Sequence, residues 1–260
     1  MTVLQKEQRW ASAREMGDHL ICHVRSAQVD DELDQTLTTD LIRALPSLKM
    51  ADYFAIKPDI FRGSEHVSAS IDRDGHVDGA IVVDWRRTVD GTPFAHIVTA
   101  FVGEAEQGTD LVWRMWAVLW DAVAAARECP SLIAFRTYNP RSFRALGGFA
   151  GIEGAEFYPQ IPADEARAQP LAELAGAVAD VLSPGLPLVP GTGVVRGGGG
   201  AVPADFYPTL HLTATGDVNE HFRYQVDPAD RVLCMLRLGT EASRARFMEA
   251  SSTGRGPRAV

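Results

Sequence analysis

The chain has 260 residues, of which 46% are hydrophobic and 23% are charged, and this composition excludes a fibrous or wholly disordered protein. At this length, one large α/β domain, or one domain with an elaborate C-terminal extension, can bury a sizeable core. The formal net charge of −9 argues against nucleic acid as a partner, because non-specific binding depends on Lys and Arg neutralising phosphates.

The three cysteines, Cys22, Cys129 and Cys234, are odd in number and lack the C-x-x-C spacing of a zinc or redox site. We therefore expect buried thiols in a reducing compartment, and no bound metal. The N-terminal segment has no apolar run of signal-peptide length, and no later run approaches the roughly 18 apolar residues of a membrane span. The sequence thus predicts a cytoplasmic protein without a membrane partner.

The N-terminal part predicts a helix over residues 3–17 and then a strand in HLICHVRSA, residues 19–27. An amphipathic helix is expected in residues 30–45, because leucines recur at every fourth position behind a group of acids, and Pro46 ends it. Residues 66–102 contain β-branched runs separated by the turn sequences DRDG and VDGTP. Three consecutive antiparallel strands are the natural interpretation.

A helix with Trp113, Trp116 and Trp120 on one face follows, and its other faces are also largely apolar. This pattern indicates burial in the core or at a subunit interface, so a homodimer is possible. The next elements are a strand in SLIAF, residues 131–135, and a short helix that Asn139 caps with Pro140 at its first position.

Beyond Gly151 the composition changes. We expect an Ala-rich helix over 164–182, a Gly/Pro-rich loop over 183–203 with a short strand at Val194 and Val195, a helix in DVNEHFRYQV, and a closing strand in RVLCMLRL. The tail from Ser251 is expected to be disordered. The predicted organisation is therefore a core over 1–158, an extension over 159–250 and a tail over 251–260.

The stretch FVGEAEQGTDL, residues 101–111, runs from the end of a strand into the tryptophan-rich helix. Val102, Gln107 and Gly108 fall at the spacing of V-x-x-x-x-[QR]-G-x-G-x-[GA], the signature after the fourth strand of the GNAT superfamily of N-acyltransferases. The segment NPRSFRALGGF, residues 139–149, is similar to the motif after that family's fifth strand. The resemblance covers roughly residues 19–158.

The resemblance implies a GNAT-like α/β fold, in which a mixed, mostly antiparallel twisted sheet is flanked by helices, with an α/β C-terminal extension. It also implies an N-acyltransferase that moves an acyl group from acetyl-CoA, another acyl-CoA or an acyl carrier protein to a small amine. The implied cofactor-binding residues are Phe101, Val102, Gln107, Gly108, Thr109, Asp110, Leu111 and Asn139.

The candidate catalytic residues are Glu104 and His96 as bases, and Tyr138 as the proton donor to the thiolate. Tyr138 is considered because the short helix has Phe143 and Arg144 where many family members have a tyrosine. A lone strand histidine such as His96 is more often a packing residue, and so is a tyrosine at a strand end.

Asp110 stands where the signature has a second glycine, and two interpretations remain open. Its carboxylate either repels phosphate by roughly 1 kcal/mol or simply caps the helix. The matching alternative for the whole protein is a GNAT-like chain that has lost CoA chemistry and acts as a small-molecule binding or interaction module. Arg136, Arg141 and Arg144 form a local basic group that is either solvated or contacts a phosphate or an acidic carrier.

Overall fold

The computed structural model describes residues 10–127, 129–162, 171–200, 202–203, 206 and 216–256. The described residues form ten strands and seven helices. The strands are β1 (Ser12–Met16), β2 (His19–Arg25), β3 (His66–Ile71), β4 (Val77–Arg87), β5 (Pro93–Val102), β6 (Leu132–Thr137), β7 (Ala155–Tyr158), β8 (Leu188–Val189), β9 (Val194–Val195) and β10 (Arg231–Leu238). The helices are α1 (Asp31–Ala44), α2 (Met50–Ile56), α3 (Leu111–Ala126), α4 (Pro140–Gly147), α5 (Ala172–Leu182), α6 (Asp217–Tyr224) and α7 (Glu241–Ser252).

The chain divides into two compact units, and β4, β5 and α7 contribute residues to both. Unit 1 takes the described residues within Met1–Asp84, Ile97–Cys129 and Met248–Gly256. Unit 2 takes those within Trp85–His96 and Pro130–Phe247.

Unit 1 contains an antiparallel sheet in the order β1, β2, β3, β4, in which each strand pairs with its neighbour in sequence. Helix α3 packs across β2 and β3. Trp116 and Trp120 are buried and meet edge to face, with ring centroids 5.6 Å apart. Core burial is therefore the correct interpretation of these two tryptophans.

Helix α1 forms as the leucine spacing predicts. Leu33, Leu37 and Leu41 are buried, and the Asp30 carboxylate accepts a hydrogen bond from the Leu33 N–H at 2.8 Å. Asp30 has extended backbone angles, φ −79° and ψ 175°, which direct its side chain at the first turn of the helix.

Unit 2 is built around β10, the closing strand that the sequence predicts. On one side β10 pairs antiparallel with β6, and on the other it pairs with β9 at its start and with β7 at its end. The strands β5 and β6 pair in parallel, so the two units together confirm a mixed, mostly antiparallel sheet flanked by helices. Helix α5 covers β6 and β10 with the buried side chains of Ala175, Val178 and Ala179.

Several predicted elements need correction. Residues 12–16 of the predicted N-terminal helix form β1 instead, and residues 3–9 of it lie outside the described residues. Ser251 and Ser252, expected in a disordered tail, are the last residues of α7, which the sequence analysis did not predict. Helix α2 and strand β7 were also not predicted. The Ala-rich helix is confirmed from Ala172 onward.

Other expectations hold without change. The strand at Val194 and Val195, the helix α6 and the Asn139 cap of α4 all form as predicted. Among the described residues, no helix combines the length and hydropathy that crossing a bilayer would require.

Candidate functional site

The segment from Val102 to Leu111 links β5 to α3 in unit 1. A short 3-10 turn covers Glu104–Glu106, and Gln107 to Asp110 are exposed before the helix begins at Leu111. Gly108 has φ +92°, in the left-handed region that favours glycine. A methyl group at Gly108 would meet no atom within 4 Å, so this glycine serves the backbone angle rather than a close internal contact. We call Gln107–Asp110 the exposed turn; Leu111, the first residue of α3, is buried.

The capping of α3 differs from the prediction. The Asp110 side chain makes no capping hydrogen bond, and the Thr109 hydroxyl accepts one from the Leu111 N–H at 3.2 Å instead. Asp110 has ψ 8°, unlike the extended Asp30 that caps α1, and this angle does not present its carboxylate to the first turn. The interpretation of Asp110 as a side-chain cap is therefore wrong, and the exposed turn keeps an acidic group.

The two strand residues of the motif have different surroundings. Phe101 is buried, and its ring meets Tyr53 and Phe54 edge to face at centroid distances of 5.4 and 6.2 Å. Its side chain belongs to the core of unit 1, which leaves only its main chain to contact a ligand. Val102 is half-buried at the end of β5.

The parallel pairing between β5 and β6 is short. In the described part of the chain it consists of Ala95 with Ile133 and His96 with Ala134. Since β5 continues to Val102, its residues from Ile97 onward do not pair with β6 within the described residues. This edge of β5 leads directly into the exposed turn.

Glu104, the preferred candidate base, lies at the first position of the 3-10 turn. Its Oε1 accepts a hydrogen bond from the Ser47 N–H at 2.7 Å. This bond holds the carboxylate in one place. Because the carboxylate is the acceptor, it makes the bond in its ionised form, which is the form in which a general base takes up a proton.

His96, Tyr138 and Asn139 belong to unit 2. His96 is buried on β5. The Arg231 guanidinium lies over the Tyr138 ring, 5.6 Å from its centroid. Burial raises the pKa of Tyr138, partly against the effect of Arg231, so the phenol stays protonated at neutral pH. The Asn139 side-chain oxygen accepts from the Arg141 N–H at 2.9 Å, which commits that oxygen to the helix cap.

The group of three arginines predicted in unit 2 is less open than expected. Arg136 donates from Nη1 to the Ser183 hydroxyl at 2.7 Å, and burial lowers the pKa of its guanidinium. Arg141 and Arg144 are exposed. Of these three arginines, only Arg141 and Arg144 therefore present an exposed positive charge.

A cluster in unit 1 was missed by the sequence analysis. His19 on β2, Asp78 on β4 and Glu106 in the 3-10 turn bring one ligand atom each to within 4.8 Å of one another. His19 Nε2 lies 2.8 Å from Asp78 Oδ2 and 3.9 Å from Glu106 Oε1. No spacing in the sequence signals the cluster, because His19 and Asp78 are 59 residues apart in the chain.

Burial raises the pKa of the Asp78 carboxyl. The Ser70 hydroxyl and His19 act in the opposite direction. Ser70 lies near the carboxylate, but neither its Oγ nor Asp78 Oδ1 makes a hydrogen bond of ordinary geometry. A buried carboxylate with one unsatisfied oxygen is costly unless another group compensates it.

Unit 2 also contains an open cavity of about 480 Å³. Phe143 and Arg144 of α4 line it together with Glu156 and Phe157 of β7 and residues 159–161. Its walls are largely apolar, and Glu156 is paired with Arg237. An open, largely apolar cavity of this size can accommodate a small molecule.

No family model and no curated protein sequence matches the chain. Solved structures that match include the GNAT family N-acetyltransferase YhbS from Escherichia coli in complex with CoA, with 11% identity and a TM-score of 0.37 over 48% of this chain and 65% of YhbS. A GNAT family acetyltransferase from Staphylococcus aureus Mu50 matches with 10% identity and a TM-score of 0.38, over 54% of this chain and 86% of the other.

Arabidopsis thaliana Naa50, in complex with the bisubstrate analogue CoA-Ac-MVNAL, matches with 16% identity and a TM-score of 0.35, over 58% of this chain and 92% of its own. GNAT-family acetyltransferases are thus among the structures that match. The match covers less than two thirds of YhbS. At these identities and TM-scores the matches do not establish a function, which has to be inferred from the residues of this chain.

Proposed function

We propose that the chain is an N-acyltransferase of the GNAT type, which binds an acyl-CoA at the exposed turn and transfers the acyl group to a small amine. The observation that carries this proposal is the succession of three features in unit 1: the edge of β5 beyond His96, the left-handed Gly108 and the start of the 16-residue helix α3. The N-terminus of a helix preceded by a glycine turn favours a phosphate group.

The chain's own residues would then have separate tasks. Main-chain groups of Ile97–Val102 would pair with the extended pantetheine arm, and N–H groups of the exposed turn would hold the pyrophosphate. The bound acyl-CoA supplies the activated thioester. Glu104 would accept a proton from the amine as it attacks the thioester, and CoA would leave as the thiolate.

We place the reaction in the cytoplasm. Among the described residues none of the three cysteines forms a disulfide, and Cys22 and Cys234 are buried, which supports a reducing compartment. An acyl carrier protein as the alternative acyl donor would require contacts with exposed cations such as Arg141 and Arg144.

A second candidate function is small-molecule binding without acyl transfer. It is favoured by Asp110, whose carboxylate in the exposed turn makes no capping hydrogen bond, and by the apolar cavity around Phe143 in unit 2. Phe143 also occupies the helix in which the resemblance calls for a tyrosine.

Titration calorimetry of the full chain against acetyl-CoA and longer acyl-CoAs tests the proposal. We expect saturable binding of at least one acyl-CoA, followed by release of free CoA thiol when a panel of small amines is added. Saturable binding with no thiol release from any amine would favour the second function. A flat titration across the panel at millimolar acyl-CoA would overturn the proposed donor.

A further inference from the structure

Three side chains from separate elements converge at one point of unit 1. His19 begins β2, Asp78 is the second residue of β4, and Glu106 ends the 3-10 turn after β5. Their nearest ligand atoms, His19 Nε2, Asp78 Oδ2 and Glu106 Oε1, all lie within 4.8 Å of one another. One imidazole and two carboxylates are ligands that first-row divalent ions accept together.

The distances suit a shared ion. Metal–ligand bonds of about 2.0–2.2 Å place two ligands of one ion roughly 3.0–3.5 Å apart in tetrahedral or octahedral geometry. His19 Nε2 lies 2.8 Å from Asp78 Oδ2 and 3.9 Å from Glu106 Oε1, on either side of that range. Small side-chain rotations are enough to bring all three atoms onto one ion.

Main-chain contacts hold the segments that carry the two carboxylates. The Thr109 hydroxyl donates to the Glu106 carbonyl at 2.8 Å and also lies 3.2 Å from Glu106 Oε2, while Oε1 faces His19. The Asp78 carbonyl accepts from the Gly103 N–H at 2.6 Å, and a side chain at residue 103 would lie only 2.8 Å from that carbonyl. Gly103 therefore allows the close approach that brings β4 against the segment carrying Glu106. Such supporting contacts orient ligands around metal ions.

The charge balance also calls for a cation. The His19 side chain is only 9% exposed, and within the described residues neither its Nδ1 nor Asp78 Oδ1 makes a hydrogen bond of ordinary geometry. Two carboxylates face this single imidazole, and a bound cation would offset their negative charge. A buried site with excess negative charge is stabilised by a bound cation.

We infer that His19, Asp78 and Glu106 form a binding site for a first-row divalent transition ion, with zinc as the representative. The imidazole ligand disfavours Mg²⁺ and Ca²⁺, which take oxygen ligands. Such a site would depart from the expectation of no bound metal, because that expectation rested only on the spacing of the cysteines in the sequence. It does not depend on the proposed acyl transfer, since it uses none of the groups assigned to the reaction.

Zinc titration of the full, chelator-treated chain at pH 7 tests the inference without acyl-CoA. We expect one site whose affinity falls at least tenfold in His19→Gln and in Glu106→Gln. Glu106 is the more exposed ligand, so Glu106→Gln is the variant that should keep the native melting temperature. Cobalt(II) should give visible d–d absorption with the native chain, and this absorption should be lost in Glu106→Gln.

His76→Gln is the matched control. His76 Nδ1 lies 3.4 Å from Asp40 Oδ1 in the same unit, but this pair has no third ligand in the described part of the chain. The variant should bind zinc as the native chain does. Absence of saturable zinc binding, equal affinity in a folded Glu106→Gln variant, or displacement of zinc by excess Mg²⁺ would overturn the site.

Discussion

Glu104 is the residue on which the proposed chemistry depends most directly. Its Oε1 accepts from the Ser47 N–H, and the amide oxygen of glutamine can accept the same bond. Glu104→Gln should therefore lower kcat by 10²- to 10³-fold, in the range typical of a lost general base, and leave the melting temperature and the Kd for acyl-CoA unchanged. Thiol-release kinetics and calorimetry measure the two effects. Unchanged kcat in this variant would assign Glu104 to structure alone.

Asp110 tests the electrostatics of the exposed turn. Its carboxylate makes no capping bond, so Asp110→Asn removes a charge and little else. Relief of repulsion by ~1 kcal/mol should lower the Kd for acetyl-CoA about fivefold. Glu173→Gln is a suitable control, because it also removes an acid from the first turn of a helix. Equal effects of both variants on acetyl-CoA affinity would show that the Asp110 carboxylate does not repel an anion bound at the exposed turn.

At the scale of elements, β10 is the strand that unit 2 depends on. It pairs with β6, β7 and β9, and its residues from Val232 to Leu236 are fully buried. A chain ending at Ser183 loses β8, β9 and β10 and leaves β6 and β7 with unpaired edges, so we expect it to aggregate. Light scattering would show this, with a chain ending at Gly256 as the control. A soluble 1–183 fragment with cooperative melting would contradict the account.

The elements that the sequence predicts correctly are those with a local pattern, such as the leucine repeat of α1 or the turn sequences between β3, β4 and β5. Strand β1 was predicted as a helix because Ala13, Arg14, Glu15 and Met16 all have high helix propensity. All five of its residues pair with β2, and this long-range pairing overrides the propensity. For α7 a local signal existed, since Thr240 and Ser243 exchange side-chain to backbone hydrogen bonds at 3.0 Å across its first turn.

The candidate functional site also has parts that a local sequence pattern predicts and parts that depend on long-range contacts. The strand, exposed turn and helix are continuous in the chain, so the sequence predicts them together. The capping of α3 by Thr109 depends on the ψ angle of Asp110, which no residue pattern reveals. The cluster of His19, Asp78 and Glu106 exists only after β2, β4 and the 3-10 turn have been brought together.

For the whole molecule, the pH dependence of stability should reflect a buried histidine pair. His23 Nε2 and His66 Nδ1 lie 3.0 Å apart. Burial, together with Arg25, lowers the pKa of His23 to about 4 and that of His66 to about 4, from 6.5. Between pH 4 and pH 6.5 the two histidines bind protons in the unfolded chain and not in the folded chain. The free energy of unfolding should therefore fall as the pH is lowered from 6.5 to 4, by up to about 1.4 kcal/mol per pH unit for each histidine.

Urea unfolding at pH 5 and pH 7 measures this dependence. The double variant His23→Gln/His66→Asn keeps polar side chains at both positions and removes the titrating groups, so it should show a smaller difference in unfolding free energy between the two pH values. An identical pH difference in the native chain and the double variant would show that other groups cause it.

The central claim, that an acyl-CoA binds at the exposed turn, is tested most directly by acetyl-CoA titration of two alanine variants. Gly108 has φ +92° and Gly91, in the β4–β5 hairpin, has φ +90°, and a methyl group meets no atom within 4 Å at either position. Both substitutions should therefore cost a similar backbone strain, roughly 1–2 kcal/mol. We predict that Gly108→Ala raises the Kd for acetyl-CoA at least tenfold and that Gly91→Ala leaves it unchanged. Equal affinities in the two variants would contradict the claim.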